Sequence, residues 1–260
     1  MIMAFIQARM SSSRLPGKVF KPIQGRPMLE LELERVRSCR SIDGVAVVTT
    51  THADDQPIVD LGRRLNVGVF CGSMENVLNR FYQAAKKFRP DHVVRITGDC
   101  PLIDPVVVDE MVRLYLEQGG DYGTNCMPPT YPDGLDAEIF SFQALELAHA
   151  EAVLPSHLEH ISLFFEEQPE RFKIVNLAHS EDLSHLRWTV DEPEDYEFVK
   201  GVFAALYPAN PCFGFRAVLA VLEQNPELMA LNRHFERNEG LIKSKEEDRA
   251  FLERSDQAKD

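Results

Sequence analysis

A short basic loop contains the first residues whose types and spacing suit a chemical task. Residues 8–18 have the sequence ARMSSSRLPGK. Small residues such as Ala8, Ser12 and Ser13 allow backbone N–H groups and hydroxyls to approach a phosphate closely. Arg14 and Lys18, four residues apart, add positive charge that would neutralise a triphosphate during a reaction. The spacing is equally compatible with a solvated basic loop that binds nothing.

Common nucleotide-binding motifs are absent from the sequence. A Walker A motif requires a glycine where Ser12 stands and a serine or threonine where Val19 stands. No G-x-G-x-x-G follows the first predicted strand, so the fingerprint of a dinucleotide-binding fold is missing. The chain also has no D-x-D, the motif that metal-dependent glycosyltransferases commonly present to their metal. These absences argue against a P-loop NTPase and disfavour a glycosyltransferase.

Two aspartates follow predicted buried strands. Asp99 stands in RITGDCPLIDP and Asp191 in WTVDEPEDY. Mg²⁺ takes one or two carboxylates and completes its shell with water and substrate phosphates, so both residues are candidate metal ligands. Asp99 can instead cap a turn, and Asp191 can be the N-cap of a helix that begins at Pro193. The two roles of Asp191 are compatible if its side chain faces a crevice.

A segment rich in proline, glycine and aspartate contains candidate sugar-binding residues. In TYPDGLDAEIF, they are Tyr131, Asp133, Asp136 and Glu138. These residues lie near a predicted junction of loop and strand, where they can hydrogen-bond the hydroxyls of a sugar. Asp133 and Gly134 also form a turn signal, which explains part of the pattern without a ligand.

The remaining histidine and cysteine patterns are interpreted as structural. His157 and His160 fall on one face of a predicted helix, but a zinc site needs a third ligand that the sequence does not supply. Cys100 is interpreted as a small core residue rather than a nucleophile. The five cysteines contain no C-x-x-C pair, so we expect reduced thiols and no structural zinc.

The overall charge excludes several classes of partner. The chain of 260 residues has 28 Lys and Arg against 41 Asp and Glu, a formal net charge of −13. We therefore expect no nucleic-acid or anionic-membrane surface. Residues 1–29 contain no carboxylate, so the positive charge is local and indicates a small anionic ligand. The apolar stretches are too short to span a bilayer and no signal peptide is evident, so we expect a cytoplasmic protein.

Short β-branched runs alternate with amphipathic stretches in the first half, a pattern typical of a parallel sheet with connecting helices. Strands are predicted at 2–7, 45–50, 67–71 and 92–97, and helices at 28–38, 57–65, 76–88 and 105–118. In the second half, strands are predicted at 136–140, 172–177 and 186–190, and helices at 142–152, 155–167, 193–206 and 215–223. The predicted fold is α/β, with a mostly parallel sheet and helices on both faces.

This sheet would bring the candidate residues together. Open α/β sheets bind ligands outside the carboxyl ends of their strands, where the basic loop and Asp99 would face one crevice. A single domain is predicted over residues 1–235, in which residues 124–190 form a long acceptor-binding segment. The charged tail, residues 236–260, is expected to be mobile.

Five motifs in register resemble the cytidylyltransferase family that includes the spore coat polysaccharide biosynthesis protein F group, itself similar to acylneuraminate and Kdo cytidylyltransferases. They are IQARMSSSRLPGK, VVRITGDCPLIDP, TYPDGLDAEIF, LPSHLEHIS and DLSHLRWTVDEPEDYEFV, and the resemblance runs from about residue 2 to residue 231. It implies a Rossmann-like nucleotidyltransferase fold and a homodimer. It also implies transfer of CMP from CTP, with Mg²⁺, to an acidic sugar of the nonulosonic type, which supplies surface polysaccharide synthesis and releases pyrophosphate.

The resemblance further implies roles for individual residues. The residues implied to bind the triphosphate are Arg9, Arg14 and Lys18. The implied metal ligands are Asp99 and Asp191. The residues implied to recognise cytosine are Ser73, Asn76 and Arg80. Acceptor binding extends to Glu159 and His160.

Three positions depart from the family pattern. Ser11 stands where a glycine is usual, Asn76 where an aspartate is usual, and Glu192 where a threonine is usual. A serine at position 11 restricts the phosphate loop unless its φ is negative. Other interpretations stay open: a different phosphate-bearing acceptor, a glycosyltransferase that uses a nucleotide sugar, or a nucleotide-binding protein without catalysis.

Overall fold

A central sheet of seven strands has helices packed on both of its faces. The computed structural model describes residues 1–235, 237 and 239–257. The strands are β1 (Ile2–Gln7), β2 (Pro22–Ile23), β3 (Arg26–Pro27), β4 (Gly44–Thr50), β5 (Gly68–Gly72), β6 (His92–Thr97), β7 (Tyr122–Thr124), β8 (Glu138–Ser141) and β9 (Ile174–Asn176). The α-helices are α1 (Met28–Arg37), α2 (Gln56–Arg64), α3 (Val77–Phe88), α4 (Pro105–Gln118), α5 (Phe142–Glu151), α6 (Pro155–Glu159), α7 (Ile161–Glu166), α8 (Pro193–Leu206), α9 (Phe215–Gln224), α10 (Pro226–Ala230) and α11 (Glu239–Gln257).

The order of the strands places a ligand crevice at the centre of the sheet. The order is β5-β4-β1-β6-β8-β7-β9, and β2 and β3 form a separate hairpin. Strand β8 runs antiparallel to both of its neighbours, whereas the other pairs in the large sheet are parallel. The chain adds β4 and β5 on one side of β1 and then crosses to β6 on the other side. A sheet opens at such a switch point, so the predicted mostly parallel α/β fold also predicts the place of the cleft.

Alternate residues of the central strand β1 support the two helical layers, because successive side chains of a strand point to opposite faces. Ala4 and Ile6 pack with the buried residues of α1, α2 and α4. Met3 and Phe5 pack on the other face with α3, α5 and α7. A third apolar cluster around the buried Trp188 joins α8 and α9 to the rim of the sheet. The loops that line the cleft therefore extend from a well-packed base.

The predicted strand at 186–190 is wrong in type, although it lies where pairing was expected. Its only bridge is between Arg187 and Asp133, within the described part of the chain. The N–H of Trp188 donates to the Asp133 carbonyl at 2.6 Å, and the N–H of Val190 donates to the Asp99 carbonyl at 2.8 Å. These partners belong to loops rather than to a strand, so the segment connects two loops at the cleft instead of adding to the sheet.

The predicted helix 155–167 is interrupted at His160, which separates α6 from α7. His160 has φ −111° and ψ 89°, which lie outside the helical region. Its ring lines the cleft, and its Nε2 lies 3.0 Å from the Ser244 hydroxyl. The break thus allows one side chain to leave the helix pattern and face the site.

The charged tail contains a helix rather than an extended solvated segment. Helix α11 lies on α6, where the Asp248 carboxylate accepts from the Ser156 N–H at 2.9 Å. The Ser244 and Asp248 side chains are buried, and Lys245 pairs with Glu167. Residues 236, 238 and 258–260 of the predicted tail lie outside the described residues. Among the described helices, none combines the length and the apolar composition needed to cross a membrane.

Candidate active site

A cleft of about 500 Å³ opens beyond the carboxyl ends of β1 and β6. Gln7 and Thr97, the last residues of these strands, are paired in the sheet and line the cleft. Many of the residues predicted from sequence line it too: Ala8, Arg9, Ser12, Ser13, Arg14, Lys18, Asp99, Asp133, Asp136, Glu138, His160 and Asp191. The fold therefore brings the basic loop, the two candidate metal ligands and most of the candidate acceptor residues into one space.

The basic loop is anchored by a buried aspartate that the sequence did not indicate. The N–H of Met10 donates to Asp55 Oδ1 at 2.7 Å. The other oxygen, Oδ2, accepts from the hydroxyls of Thr49 at 3.0 Å and Thr50 at 2.5 Å. Hydrogen bonds to an ionised acceptor are stronger than those between neutral groups. Asp55 thus ties the start of the phosphate loop to the end of β4.

The loop then curls back on itself. The N–H groups of Ser12 and Gly17 both donate to the Met10 carbonyl at 3.0 Å. Gly17 has φ +68°, a conformation that favours glycine. The non-glycine residues with positive φ are elsewhere in the described chain, so Ser11 adopts this loop with a negative φ. The serine at position 11 therefore does not obstruct the phosphate loop.

Lys18 joins the basic loop to both predicted metal ligands. Its Nζ donates to Asp99 Oδ2 at 2.8 Å and to Asp191 Oδ1 at 2.7 Å. Burial opposes the charge of Lys18, but the two carboxylates outweigh burial and raise its pKa above the ordinary value. Burial likewise acts to raise the pKa of Asp99, and Lys18 outweighs it and lowers that pKa to about 2. Lys18 and Asp99 are therefore both ionised at neutral pH.

Two arginines hold Asp191 from other directions. Arg14 Nη2 lies 2.9 Å from Asp191 Oδ2, and Arg14 Nε lies 3.3 Å from Glu192 Oε1. Arg187 Nη2 lies 3.5 Å from Asp191 Oδ2. Arg187 is itself fixed by the fully buried Asp195, through Nε and Nη2 at 2.9 Å each. Glu192, rather than Asp191, is the N-cap of α8, so the Asp191 carboxylate is available to the cleft.

The carboxylates around Lys18 form a donor set that suits Mg²⁺. Two carboxylates, Asp99 and Asp191, meet at one cation, the Lys18 ammonium. Mg²⁺ is bound in nucleotide sites through one or two carboxylates together with substrate phosphates and waters. No cluster of three or more acidic, histidine or cysteine ligands occurs among the described residues. The arrangement therefore fits an ion that arrives with a nucleotide better than an ion caged by protein ligands.

A second group of cleft residues consists of carboxylates that are paired with arginines. Arg237 Nη2 contacts both oxygens of Asp136, at 2.6 and 2.7 Å. Arg95 Nη1 donates to Glu138 at 2.8 Å. Burial and then the charge of Asp136 raise the pKa of Asp133 to about 7, against the opposing arginines. These arginines and carboxylates can present both hydrogen-bond donors and acceptors to a polyhydroxylated ligand.

Two residues predicted to bind the acceptor do not line the cleft. Tyr131 is buried, and its ring packs on His179 and Phe215 in the third apolar cluster. Tyr131 therefore contributes to core packing rather than to the cleft. Glu159, at the end of α6, is also absent from the cleft lining. Its predicted role in binding the acceptor gains no support from its position.

The residues predicted to recognise cytosine lie beside the cleft and make structural contacts. Asn76 is the N-cap of α3 and accepts from the Asn79 N–H at 2.7 Å. The Ser73 hydroxyl accepts from the Asn76 N–H at 3.1 Å. Arg80 is buried and donates to the Ser73 carbonyl at 2.7 Å. Burial, and then the charges of Arg9 and Arg95, lower the pKa of Arg80 to about 10.

Several residues of the cleft were not predicted from the sequence. Arg95, Glu166, Arg187 and Arg237 all line the cleft. Arg95 interrupts the apolar run HVVRIT of a buried strand, and that interruption was a usable signal. Arg237 had no such signal, because it lies in a charged segment that was expected to be mobile.

A solved structure with the same architecture places the class of this protein. A cytidylyltransferase from Leptospira borgpetersenii serovar Hardjo-bovis superimposes with a TM-score of 0.85 and 35% sequence identity, covering 91% of this chain and 99% of that chain. Together with the strand order and the position of the cleft, this likeness defines a Rossmann-like nucleotidyltransferase fold, as predicted.

The family follows from the sequence comparison. The family described as cytidylyltransferase matches residues 3–239. The chain belongs to this family and is a CTP-dependent nucleotidyltransferase. The spore coat polysaccharide biosynthesis protein SpsF of Bacillus subtilis is 29% identical over 237 residues, which are 87% of this chain and 95% of that protein. The 3-deoxy-manno-octulosonate (Kdo) cytidylyltransferase of Anaeromyxobacter is 25% identical over 248 residues, covering 78% of this chain and 97% of that protein.

Proposed function

We propose that this cytidylyltransferase transfers CMP from CTP to an acidic sugar of the nonulosonic type and supplies the activated sugar to surface polysaccharide synthesis. The observation that carries the proposal is the contact of Lys18 with both Asp99 and Asp191 in the cleft. The Kdo cytidylyltransferase and SpsF relatives support an acidic sugar and a polysaccharide pathway. A cytoplasmic location and a homodimer stay predictions.

The reaction requires positioning and neutralisation of charge. A hydroxyl of the sugar attacks the α-phosphorus of CTP and gives up its proton to solvent, and the bond from the α-phosphorus to the α,β-bridging oxygen breaks to release pyrophosphate. Most of the catalytic effect in such a displacement comes from alignment and from groups that stabilise developing negative charge. The phosphate loop and the cations beside it occupy the position that these tasks require.

Lys18 and Arg14 are the proposed catalytic cations. Both are held by carboxylates, Lys18 by Asp99 and Asp191 and Arg14 by Asp191 and Glu192. A triphosphate competes with these carboxylates for the same charges. Because Lys18 is ionised and oriented before the nucleotide binds, no proton has to move to create its charge.

The donor chemistry supports a role for Asp99 and Asp191 in holding Mg²⁺. When bound there, Mg²⁺ would neutralise phosphate charge and polarise the α-phosphate. Exchange of the Lys18 ammonium from the carboxylates to the phosphates would leave Asp99 and Asp191 able to hold the ion. Arg187, fixed by Asp195, would keep Asp191 in place during this exchange.

The acceptor is proposed to bind beside Asp133, Glu138 and His160. These three residues line the cleft and carry acceptors or donors suited to sugar hydroxyls. Partial burial lowers the pKa of His160 to about 4, so it is neutral at pH 7. A neutral imidazole can donate from one ring nitrogen and accept at the other, which suits a hydroxyl ligand.

A pyrophosphate-release screen tests the proposal. The four nucleoside triphosphates are crossed with Kdo, other nonulosonic acids and sugar phosphates in the presence of Mg²⁺. We expect release with CTP and an acidic sugar. Lys18→Ala and Asp99→Asn should each lower kcat by about a hundredfold or more. Lys21→Ala, which removes a cation near the Tyr196 ring outside the cleft lining, is the matched control and should retain activity.

Three outcomes would contradict the proposal. Normal turnover in both Lys18→Ala and Asp99→Asn would remove the assigned roles. Transfer of sugar from a nucleotide sugar without pyrophosphate release would identify a glycosyltransferase. Binding of CTP in calorimetry without any product across the acceptor panel would identify a nucleotide-binding protein that lacks catalysis.

A further inference from the structure

We propose that Arg237 binds the carboxylate of the acceptor and that Asp136 holds this guanidinium until the acceptor arrives. The inference rests on the proposed function and assigns its acid specificity to one residue. Arg237 precedes α11, so the assignment also gives the C-terminal segment a direct part in the active site. Family membership and the relatives' names do not select this residue.

The guanidinium of Arg237 lies in the active-site cleft. Arg237 lines the same cleft as Asp99 and Lys18. Its charge acts on Asp133 and Asp136, and the charge of Asp99 acts on both of these carboxyls as well. An acid bound by Arg237 would therefore lie in the same electrostatic environment as the proposed reaction centre.

Arg237 contacts Asp136 through a single nitrogen. One nitrogen, Nη2, contacts both Asp136 oxygens at 2.6 and 2.7 Å. The other terminal nitrogen, Nη1, makes a long contact of 3.4 Å with the Tyr131 carbonyl. A guanidinium binds a carboxylate best through two parallel N–H···O bonds. The contact with Asp136 is thus not the geometry that an arginine prefers, and an incoming carboxylate can offer a better one.

Two other arginines that line the cleft, Arg187 and Arg95, are held differently from Arg237. Arg187 makes the two parallel bonds with Asp195, both at 2.9 Å, in a buried setting. Arg95 is held by Glu138 at 2.8 Å and by the Gln7 side chain at 3.2 and 3.3 Å. Both are fixed by residues on strands or helices. Arg237 is held by one loop carboxylate, with long contacts to the Tyr131 carbonyl at 3.4 Å and to Cys126 Sγ at 3.6 Å. It is therefore the arginine of the three that is best able to exchange its partner for a ligand.

The exchange also explains why a carboxylate can enter an acidic region. Four carboxylic acids line the cleft near Arg95, Arg187 and Arg237: Asp133, Asp136, Glu138 and Glu166. A ligand carboxylate would be repelled there unless it gained a cation. Displacement of Asp136 from Arg237 supplies that cation at the cost of an existing ion pair. Asp136 therefore acts as an internal competitor for the acid group of the acceptor.

Two variants test the inference because they shift acid binding in opposite directions. With the acid found active in the screen, Kdo first, Arg237→Met should raise KM for the acid by about ten- to a hundredfold, the loss expected for charged hydrogen bonds. The KM for CTP should change by less than about twofold. Asp136→Asn should lower KM for the acid, because the competitor is removed. Arg237→Lys, which keeps the charge without the fork, should fall between wild type and Arg237→Met.

The substrate analogue separates recognition from structural damage. Wild type should prefer the acid over its carboxamide, and Arg237→Met should lose that preference. CTP binding measured by calorimetry verifies that each variant is folded, and Arg233→Met, at an exposed position nearby, is the matched control. Equal increases of KM in Arg237→Met and Asp136→Asn, with the preference for the acid intact, would show a structural ion pair only. Absence of product with wild type would contradict the proposed function instead.

Discussion

Replacement of Lys18 by methionine should destabilise the protein by an amount that depends on pH. The Lys18 side chain is buried, and its ammonium contacts Asp99 and Asp191. Methionine keeps a flexible apolar side chain of similar shape and removes the charge. The variant therefore leaves two carboxylates close together without the cation that lies between them.

The size of the effect follows from Asp99. Lys18 outweighs the effect of burial and lowers the pKa of Asp99 from 3.8 to about 2. One pKa unit corresponds to about 1.4 kcal/mol, so ionised Asp99 contributes about 2 kcal/mol to the free energy of unfolding at pH 7. Without Lys18, burial raises this pKa and is opposed by the hydrogen bonds from Thr97 and Cys100. We therefore expect Lys18→Met to lower the free energy of unfolding at pH 7 by at least about 2 kcal/mol.

The sign of the pH dependence follows from the same shift. A carboxyl with a lowered native pKa stabilises the fold at pH values above its unfolded pKa, and this stabilisation disappears as the pH falls toward the native pKa. The window here runs from about pH 4 to pH 2. About half of the contribution of Asp99 should remain at pH 3. The difference between wild type and Lys18→Met should narrow accordingly on acidification.

Urea unfolding followed by tryptophan fluorescence measures this difference. The chain has a single tryptophan, Trp188, and it is fully buried, so its emission reports on the core. Lys21→Met is the matched control: Lys21 is half-buried, and the loss of its cation–π contact with the Tyr196 ring should cost about 1 kcal/mol. The reasoning is refuted if Lys18→Met and Lys21→Met lose equal stability, or if the loss in Lys18→Met is the same at pH 7 and pH 3.

The same unfolding assay tests two buried positions. Glu32 has two carboxyl oxygens without a hydrogen-bond partner among the described residues, and burial and then Asp99 raise its pKa well above the usual range. A raised native pKa of an acid costs stability as the pH rises, so Glu32→Gln should gain on wild type above about pH 4.3, by up to about 1.4 kcal/mol per pH unit; a difference that does not vary with pH would contradict this. Gly134 has φ +104°, and a Cβ there would lie 2.6 Å from the backbone of Trp188 and Thr189. Gly134→Ala should therefore cost about 2 kcal/mol or more, and unchanged stability would contradict that reasoning.

Periodic patterns predicted most of the fold. The alternating runs identified β1, β4, β5 and β6, because a buried parallel strand needs a short apolar run whatever its neighbours are. Segments whose partners lie in loops were harder to assign. Residues 186–190 look like a strand because Leu186, Trp188 and Val190 are buried, but they pack on α8 and on the Asp133 loop. Periodicity reports burial and does not report which element supplies the hydrogen-bond partner.

The site was predicted unevenly for a similar reason. Arg14 and Lys18 lie in the loop after β1 and Asp99 follows β6, and the carboxyl ends of adjacent parallel strands meet at one edge, so their convergence on the cleft could be expected. Asp191 follows the segment 186–190, which is not a strand, so its place in the cleft depends on tertiary packing. Tyr131 belonged to the same motif as Asp133 but packs in the core. Asp55 and Asp195 gave no signal, because their role is to anchor other residues through hydrogen bonds across distant parts of the chain.

By itself, the sequence determined the class of fold, the cationic loop and the carboxylate that follows β6, Asp99. These properties depend on residue type and local spacing, which the chain carries before it folds. Tertiary structure decided which charges meet. It placed Lys18 between Asp99 and Asp191, and it brought Arg237 from the far end of the chain to Asp136. Contacts over such separations depend on how helices and loops pack, and no local pattern encodes them.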